Sequence, residues 1–203
     1  MARTAGNLGG MRSGGQVELV EWSAGQMAAR LPDVMTVYRR AFLDLHERDP
    51  ARAEAERTAH ARTHVNRPGL RFVAALAPDP DLPPEHAPLV GIGYGQPGTR
   101  GQWWHDTVVA ALPPAAATRW LSDVFEIVEL HVLPEYQGRG LGRQLLRTLL
   151  DGCGQRTAAL SALELPDSPA RRLYAGEGFE TLLSDFHFAG GDIAYAVLVK
   201  QLT

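Results

Sequence analysis

The stretch VELHVLPEYQGRGLGRQLLRTLL, residues 128–150, joins an apolar extended run, a proline, a glycine-rich turn and a leucine-rich segment. Together with the preceding residues it predicts a long apolar strand over positions 124–134. From Gly138 to Asp151 the leucines recur at three- and four-residue spacing, which predicts an amphipathic helix. A strand, a glycine turn and a helix therefore follow one another directly, and the turn indicates what this segment binds.

The glycine turn has the features of an anion site. The first amides of a helix have no partner within the helix and lie at the positive end of its dipole. Gly138, Gly140 and Gly142 leave those amides accessible, and Arg139 and Arg143 add positive charge. Such a turn commonly binds phosphate. A Walker A loop would end in Gly-Lys followed by Ser or Thr, which this turn lacks. A dinucleotide fingerprint would need a glycine where Arg143 stands.

Two segments resemble one known family. Residues 137–142, QGRGLG, resemble the Gln/Arg-x-x-Gly-x-Gly/Ala signature of the GNAT superfamily of N-acetyltransferases, and they follow a strand that ends in Val-x-Pro at 132–134, as in that family. Residues 167–180, DSPARRLYAGEGFE, resemble the family segment Asn-x-x-Ala-x-x-Leu-Tyr-x-x-x-Gly-Phe, except that Asp167 stands where the family often has an asparagine that orients the pantetheine arm. The resemblance covers residues 124–188 closely and the whole chain in the order of its elements.

The resemblance implies the reaction and the cosubstrate. It implies an enzyme that moves the acetyl group of acetyl-CoA to a primary amine of a small molecule, a peptide N-terminus or a lysine. The amine attacks the thioester directly through a tetrahedral intermediate, without an acyl-enzyme and without a metal. The turn would bind the diphosphate, and the preceding strand would pair with the pantetheine arm. The residues implied in cofactor binding are His131, Val132, Gln137, Gly138, Arg139, Gly140, Leu141, Gly142, Arg143 and Asp167.

Direct transfer requires a base, an oxyanion donor and an acid. By resemblance, Tyr174 faces the leaving thiolate as the acid, and the backbone amide of Val132 is the oxyanion donor. Glu129 is our first choice for the base, with His131 or a water chain as alternatives. Glu129 and His131 share a face of the strand unless a bulge intervenes. Glu126 lies three residues before Glu129 and is therefore expected on the opposite face, in a structural role.

The segment of about residues 96–122 lies outside the family pattern and is predicted to be an insertion with two short helices. In the family fold an insertion at this place overlooks the acceptor site. Trp103 and Trp104 are therefore predicted to border that site, as an apolar or cation-binding wall. The alternative is that both rings pack the insertion onto the core.

The rest of the chain predicts an α/β (α+β) fold, with a mixed central sheet of about six to seven strands and helices on both faces. Further strands are predicted at 16–22, 70–77, 87–95, 158–165, 179–188 and 193–202, and further helices at 23–45, 50–65 and 168–178. The glycine-rich residues 1–15 are predicted to be a disordered tail. Residues 16–203 are predicted to form a single domain that contains the insertion.

Composition narrows the class of protein. The chain of 203 residues is 45% hydrophobic and can bury one sizeable core. Its net charge of −3, without a basic tract, gives no reason to expect a nucleic acid or a membrane as partner. Cys153 is the only cysteine, which fits a reducing compartment, and no signal peptide or membrane span is recognisable. We therefore expect a soluble, cytoplasmic protein.

Three alternatives remain open at this point. His60 and His64 stand four residues apart but lack the glutamate of a zinc-protease motif, so we interpret them as an exposed helix face. The glycine turn is also compatible with a non-catalytic acyl-CoA-binding or regulatory module. A homodimer is common in families of this kind, and the final strand could pair within the chain or with a neighbour.

Overall fold

A computed structural model of the chain describes residues 16–43, 49–83 and 86–202. The predicted tail at 1–15 and the end of the first predicted helical region lie outside the described residues. The strands are β1 (Glu18–Trp22), β2 (Arg71–Leu76), β3 (Leu89–Gly98), β4 (Val124–Val132), β5 (Thr157–Leu163), β6 (Glu180–Phe186) and β7 (Tyr195–Gln201). The α-helices are α1 (Ala24–Ala29), α2 (Leu31–Tyr38), α3 (Pro50–Val65), α4 (Trp103–Ala110), α5 (Pro114–Leu121), α6 (Leu141–Leu150) and α7 (Pro169–Gly176).

The seven strands form one sheet in the order β1-β2-β3-β4-β5-β7-β6. Only β4 and β5 are parallel, and all other neighbours are antiparallel. The predicted mixed α/β sheet is therefore confirmed. The last strand, β7, pairs with β5 and β6 of the same chain, so the sheet is completed without a neighbour. β1 and β6 are its two edges, and the pairing of β6 with β7 shifts register twice.

Helices cover both faces of the sheet. On one face, α6 packs so closely on β3 that a Cβ on Gly91 would lie 3.1 Å from Leu145. Its leucine stripe is buried as the spacing predicts, at positions Leu141, Leu145, Leu146 and Leu149. α7 lies beside it, since a Cβ on Gly142 would be 3.6 Å from Leu173. The crossover from β4 to β5 therefore runs on this face, which we call the cofactor face.

The opposite face carries α1, α2 and α3 together with the insertion. Tyr94, which alternates with Gly93 along β3, points to this side and meets His64 of α3 at 3.3 Å. α4 and α5 form a second apolar cluster with β5 and β7, through residues that include Val108, Leu121, Ala159, Val197 and Val199. We call this the acceptor face. Its two groups of helices cover different halves of the sheet.

Local signals account for several helix boundaries. Ser23 caps α1 by a capping box with Gln26. Pro32 lies in the first turn of α2, so it begins a new helix there, and a π-helical turn, Arg39–Leu43, follows. The insertion begins after Gly98, because β3 extends three residues further than the sequence predicts. Within the described ranges, no helix combines the length and apolar character that a membrane crossing requires.

Candidate active site

The site is a gap between two parallel strands. β4 and β5 pair only where residues 124–126 lie beside residues 157–159. Beyond this short ladder the two strands separate, although β4 continues to Val132 and β5 to Leu163. The carboxyl-terminal halves of both strands therefore line an open slot, whose mouth is the glycine turn at the start of α6.

The glycine turn presents free backbone amides. Gly138 and Gly140 have φ of 73° and 80°, a left-handed conformation that glycine adopts without strain. Gly140 is the N-cap of α6 and offers no side chain to bond the first amides of the helix. The side chain of Gln137 donates to the carbonyl oxygen of Val132 at 2.9 Å, which fixes the turn against the end of β4. The geometry fits a diphosphate group at this helix N-terminus.

The two arginines of the turn differ in their surroundings. Arg143 Nε lies 2.8 Å from a carboxylate oxygen of Glu177, so its guanidinium is directed toward α7. Arg147 joins the same carboxylate, so Glu177 holds both guanidinium groups near the end of α7 and offsets part of their charge. Arg139 instead lies over the ring of Tyr136, at 5.9 Å from its centre. Of the two predicted side chains, Arg139 is the one placed to add charge at the turn.

The backbone of β4 directs amides into the slot. The amide of Leu133 donates to the carbonyl oxygen of Val90 in β3, at 2.9 Å. Because donor direction alternates along an antiparallel strand, the amides of Val132 and Leu130 point away from β3, toward β5. This orientation is the one required of the predicted oxyanion donor, Val132. Leu130 offers a second amide nearer to the closed end of the slot.

A β-bulge changes the expected position of Glu126. Tyr94 pairs with Glu129 but Gly95 pairs with Ile127, so Val128 is an extra residue on β4. Residues on either side of the bulge lose their strict alternation, and Glu126 and Glu129 therefore lie on the same acceptor face. The expectation that Glu126 faces the other way is wrong.

Glu129 is held by two partners. His131 Nε2 lies 2.7 Å from one of its carboxylate oxygens, and Arg57 Nη1 lies 3.4 Å from the other. Burial raises the pKa of Glu129, but the charge of Arg57 and the bond to His131 outweigh burial, and its net pKa is lowered. Arg57 also lies over the ring of Tyr38, at 5.4 Å. Glu129 is therefore an ionised carboxylate that its neighbours neutralise.

Glu126 has the opposite electrostatic character. It is 6% exposed, and burial raises its pKa to about 7. Gln96 lies directly across the ladder and is fully buried. Within the described part of the chain, neither side-chain polar atom of Gln96 nor Oε2 of Glu126 has a hydrogen-bond partner. Buried polar atoms of this kind are costly unless a polar group pairs with them, so this corner is a candidate contact for a polar group of a bound molecule.

Tyr174 approaches the slot from the cofactor face. It lies on α7, is buried, and packs edge-on against Phe179 with 5.6 Å between ring centres. Burial raises the pKa of its hydroxyl, and the charge of Glu129 raises it further. Since Tyr174 and Glu129 lie on opposite faces of the sheet, this interaction passes through the gap. The candidate acid is thus a protonated tyrosine on one side of the slot, and the carboxylates lie on the other.

The two tryptophans of the insertion separate in the structure. Trp104 is buried, and its Nε1 donates to Ser161 of β5 at 2.7 Å, which ties α4 to the sheet. Trp103 is 63% exposed and stacks on Phe188, with 5.0 Å between ring centres. The alternative interpretation, that the ring packs onto the core, therefore applies to Trp104. That Trp103 borders the acceptor site stays a prediction.

Two further predictions concern α3 and the turn before α7. His60 is exposed, but His64 is half-buried against Tyr94, and burial lowers the pKa of His64 to about 4. The interpretation of both as an exposed face is therefore wrong for His64. Asp167 lies exposed in a left-handed turn, with φ of 54°. Among the residues that the structure describes, no cluster of His, Cys, Asp or Glu is arranged to hold a metal ion.

Sequence reasoning did not identify Arg57 or Gln96 as part of the site. Arg57 lies on a polar helix far from the motifs, and no local pattern relates it to Glu129. Gln96 was assigned to the insertion. A signal for the bulge does exist at Gly95, because a Cβ there would collide with the carbonyl oxygen of Glu126 and the ring of Phe125. Glycine at this position permits the close approach of the two strands.

Comparisons with known proteins agree with this geometry. The profile of the Acetyltransferase (GNAT) domain matches residues 103–181. The GCN5-like protein acetyltransferase Rv2170 of Mycobacterium tuberculosis is 37% identical to this chain over an alignment 205 residues long. The alignment covers 91% of this chain and 97% of that protein. The chain belongs to the GNAT family of acetyltransferases.

Two solved structures show the same fold at low sequence identity. The PaiA N-acetyltransferase of Thermoplasma acidophilum, in complex with coenzyme A, has a TM-score of 0.60 and 14% identity, over 92% of this chain and 99% of that one. NAA60 of Arabidopsis thaliana, in complex with acetyl-CoA, has a TM-score of 0.60 and 17% identity, over 92% of this chain and 99% of that one.

Proposed function

We propose that this protein is an N-acetyltransferase that moves an acetyl group from acetyl-CoA to a primary amine. The observation that carries the proposal is the slot between β4 and β5, which has an uncapped helix N-terminus at its mouth and titratable groups on both sides of its closed end. The relatives solved with coenzyme A or acetyl-CoA support the choice of cosubstrate.

The cosubstrate would lie along β4. Backbone amides from Gly138 to Arg143 would bind the diphosphate, with Arg139 adding charge. The pantetheine arm would pair with the edge of β4, which β5 leaves unpaired beyond residue 126. Bound acetyl-CoA supplies an activated thioester carbonyl at the closed end of the slot. The amide of Val132 would donate to the oxygen of that carbonyl as negative charge develops there.

The reaction requires three proton transfers. A primary amine arrives as an ammonium ion and must lose one proton before its nitrogen can attack the thioester carbon. Once the carbon–nitrogen bond has formed, the nitrogen loses a second proton to water. As the carbon–sulfur bond breaks, the leaving thiolate takes a proton from Tyr174, which the solvent then reprotonates. The acid and the base thus stand on opposite faces of the sheet, and the reacting carbon lies between them.

We assign the proton-accepting role to Glu126 rather than to Glu129. A general base works best when its pKa is near the working pH, and burial raises the pKa of Glu126 to about 7. Glu129 has a lowered pKa, because the charge of Arg57 lies 3.4 Å from one of its oxygens and His131 is hydrogen-bonded to the other. Glu129 therefore orients His131, and Arg57 balances its charge. The water chain considered from the sequence remains compatible with Glu126 as the final acceptor.

Two observations support a polypeptide amine as the acceptor. The carboxylates on the acceptor face favour a cation, as a primary ammonium is. The M. tuberculosis relative is named a protein acetyltransferase, which supports an amine that belongs to a polypeptide.

The test is calorimetric titration of the purified protein with acetyl-CoA, NAD and ATP, followed by an assay of CoA release with amines. We expect binding of acetyl-CoA alone, and CoA release only when an amine is present. Binding without release across amines that include lysine peptides would favour the non-catalytic acyl-CoA-binding module. Absence of binding would refute both functions.

A further inference from the structure

Exposed apolar side chains border the acceptor side of the slot. Among the described residues the large apolar side chains with high exposure include Trp103 at 63%, Leu165 at 44% and Ile193 at 40%. Trp103 begins α4, Leu165 follows the end of β5, and Ile193 precedes β7. Three separate segments of the chain thus bring apolar surface to the same end of the sheet.

These side chains form one continuous surface. Leu163 pairs with Tyr195, and the amide of Glu164 donates to Ala194, so the ladder continues to place residues 165 and 193 opposite each other. By strand alternation they face the same side as Ser161, the partner of Trp104. Phe188 connects this pair to Trp103, because its ring lies 5.2 Å from Tyr195 and 5.0 Å from Trp103. We call Trp103, Leu165, Phe188, Ile193 and Tyr195 the aromatic rim.

The aromatic rim continues into the acceptor face. By strand alternation Tyr195 lies on the same side as Val197 and Val199, which pack with α4 and α5 on the acceptor face. The rim therefore lies on the face of the sheet that also carries Glu129 and His131.

Acidic groups surround the aromatic rim. Asp106 follows Trp103 on α4 and has a side chain that is 49% exposed. Asp185 is exposed near the end of β6, and Asp192 is exposed on the β6–β7 connection. An apolar surface with negative charge around it complements a polypeptide that carries both a cation and an apolar side chain. A free small amine would fill the cationic position and leave the rim uncovered.

The depth of the carboxylates indicates which polypeptide amine reaches them. Glu126 is 6% exposed, and the side chain of Glu129 is 10% exposed. An N-terminal amine sits on a branched carbon that also carries a side chain and a peptide group. A lysine amine stands at the end of four unbranched methylenes, which can enter a narrow opening while the backbone stays outside.

We propose that the aromatic rim docks the polypeptide segment around an acceptor lysine, by burying an apolar side chain that lies within about two residues of that lysine. The proposal rests on the N-acetyltransferase function and names the acceptor class of the same site. Trp103 is the central contact, because it is the most exposed ring and stands on the anchored helix α4.

The test uses blocked pentapeptides with one central lysine, flanked either by leucines or by glycines. A third peptide has a free N-terminus and no lysine, and n-butylamine serves as the small amine. We expect the leucine-flanked lysine peptide to have a KM about tenfold lower than the glycine-flanked one, as for a well-buried apolar anchor. Trp103→Ala should raise the KM for the leucine-flanked peptide about tenfold with kcat retained, and should remove the preference.

Leu82→Ala is the matched control, because Leu82 is also an exposed apolar residue, at 43%, but lies in the β2–β3 connection. It should leave both KM values unchanged. If Trp103→Ala does not fold, the double variant Leu165→Ser with Ile193→Ser tests the same surface and should also reduce the preference.

The outcomes distinguish a failure of the docking role of the rim from a failure of the proposed N-acetyltransferase function. Equal KM values for the two lysine peptides, or a preference that Trp103→Ala and the double variant leave intact, overturn the docking role of the rim. Acetylation of only the free N-terminus or only n-butylamine overturns the lysine assignment and leaves the N-acetyltransferase in place. Acetylation of none of the four amines, with acetyl-CoA still bound, refutes the proposed function itself, and the rim proposal with it.

Discussion

Glu126 and Glu129 lie on the same face of β4 although they are three positions apart, because Val128 bulges out of the ladder with β3. The two carboxylates differ in their partners. Each has one buried oxygen without a hydrogen-bond partner in the described chain, but Glu129 is also hydrogen-bonded to His131 and ion-paired with Arg57. One bulge thus creates a charged, balanced carboxylate next to one that can accept and release a proton near neutral pH.

The pH dependence of catalysis should report Glu126. As a base it must be deprotonated, so kcat/KM should rise with pH through about 7 and then level off on that limb. Glu126→Gln should lower kcat/KM by about 100-fold or more and abolish the limb. The comparison is a pH–rate profile of wild type, Glu126→Gln and Glu129→Gln. A limb that survives in Glu126→Gln and disappears in Glu129→Gln would return the base assignment to Glu129.

The same group should affect stability. Glu126 has a pKa of about 7 when folded against an ordinary value of 4.5, so the folded protein binds more protons between these values. Its contribution is fully present below pH 4.5 and is lost as pH rises through 7, a decrease of about 3 kcal/mol in the free energy of unfolding. Glu126→Gln should therefore gain stability relative to wild type between pH 5 and pH 8. Urea denaturation at both pH values measures this. An equal stability difference between the variant and wild type at pH 5 and pH 8 would contradict the raised pKa of Glu126.

Tyr174→Phe tests the acid. Phenylalanine keeps the edge-on contact with Phe179 and removes only the hydroxyl, so we expect the fold and the affinity for acetyl-CoA to be retained. Turnover should fall about 100-fold, as for the loss of a general acid. The measurement is kcat across pH together with calorimetric affinity. Turnover that stays unchanged across pH would remove Tyr174 from the mechanism.

The turn can be tested with a matched pair of glycines. Gly140 has φ of 80°, which a branched side chain adopts only with strain, so Gly140→Val should weaken acetyl-CoA binding at least about tenfold. Gly142 lies within α6, and a Cβ there would be 3.6 Å from Leu173, an ordinary contact. Gly142→Ala should bind acetyl-CoA normally. Calorimetry on both variants checks this, and equal losses would show that the left-handed turn is not the specific requirement.

Substitutions of the two arginines of the turn should differ in their effect on acetyl-CoA affinity in the same titration. Arg139→Glu should weaken acetyl-CoA binding about tenfold at low ionic strength and by less at high salt, since it reverses a charge beside the diphosphate. Arg143→Ala should change affinity by no more than about twofold, because its guanidinium pairs with Glu177. A larger loss for Arg143→Ala than for Arg139→Glu would mean that Arg143 leaves Glu177 to bind the cosubstrate.

Local patterns predicted the elements of this site better than their arrangement. The strand, the glycine turn and the buried stripe of α6 follow from periodicity and from the conformational freedom of glycine at 138 and 140. The order of the elements then indicated the fold class. These features depend on residues close together in sequence, so the sequence of this chain alone was enough to predict them.

The electrostatics of the site depend on contacts distant in sequence. Whether Arg143 faces the turn or Glu177 depends on how α7 packs against α6, and no spacing within residues 137–143 encodes that. Arg57 neutralises Glu129 across 72 positions of chain. The face of Glu126 depends on a single extra residue in β4, which shifts every later side chain by one position.

The edges of the sheet determine how copies of this chain can associate. β6, at one end, pairs irregularly with β7, and such bulges discourage the addition of a further strand. β1, at the other end, carries the exposed carboxylates of Glu18 and Glu21, which would repel their counterparts in a symmetric pairing. A continuous sheet across two molecules is therefore disfavoured at both ends, and we expect a homodimer, if one forms, to join through helices.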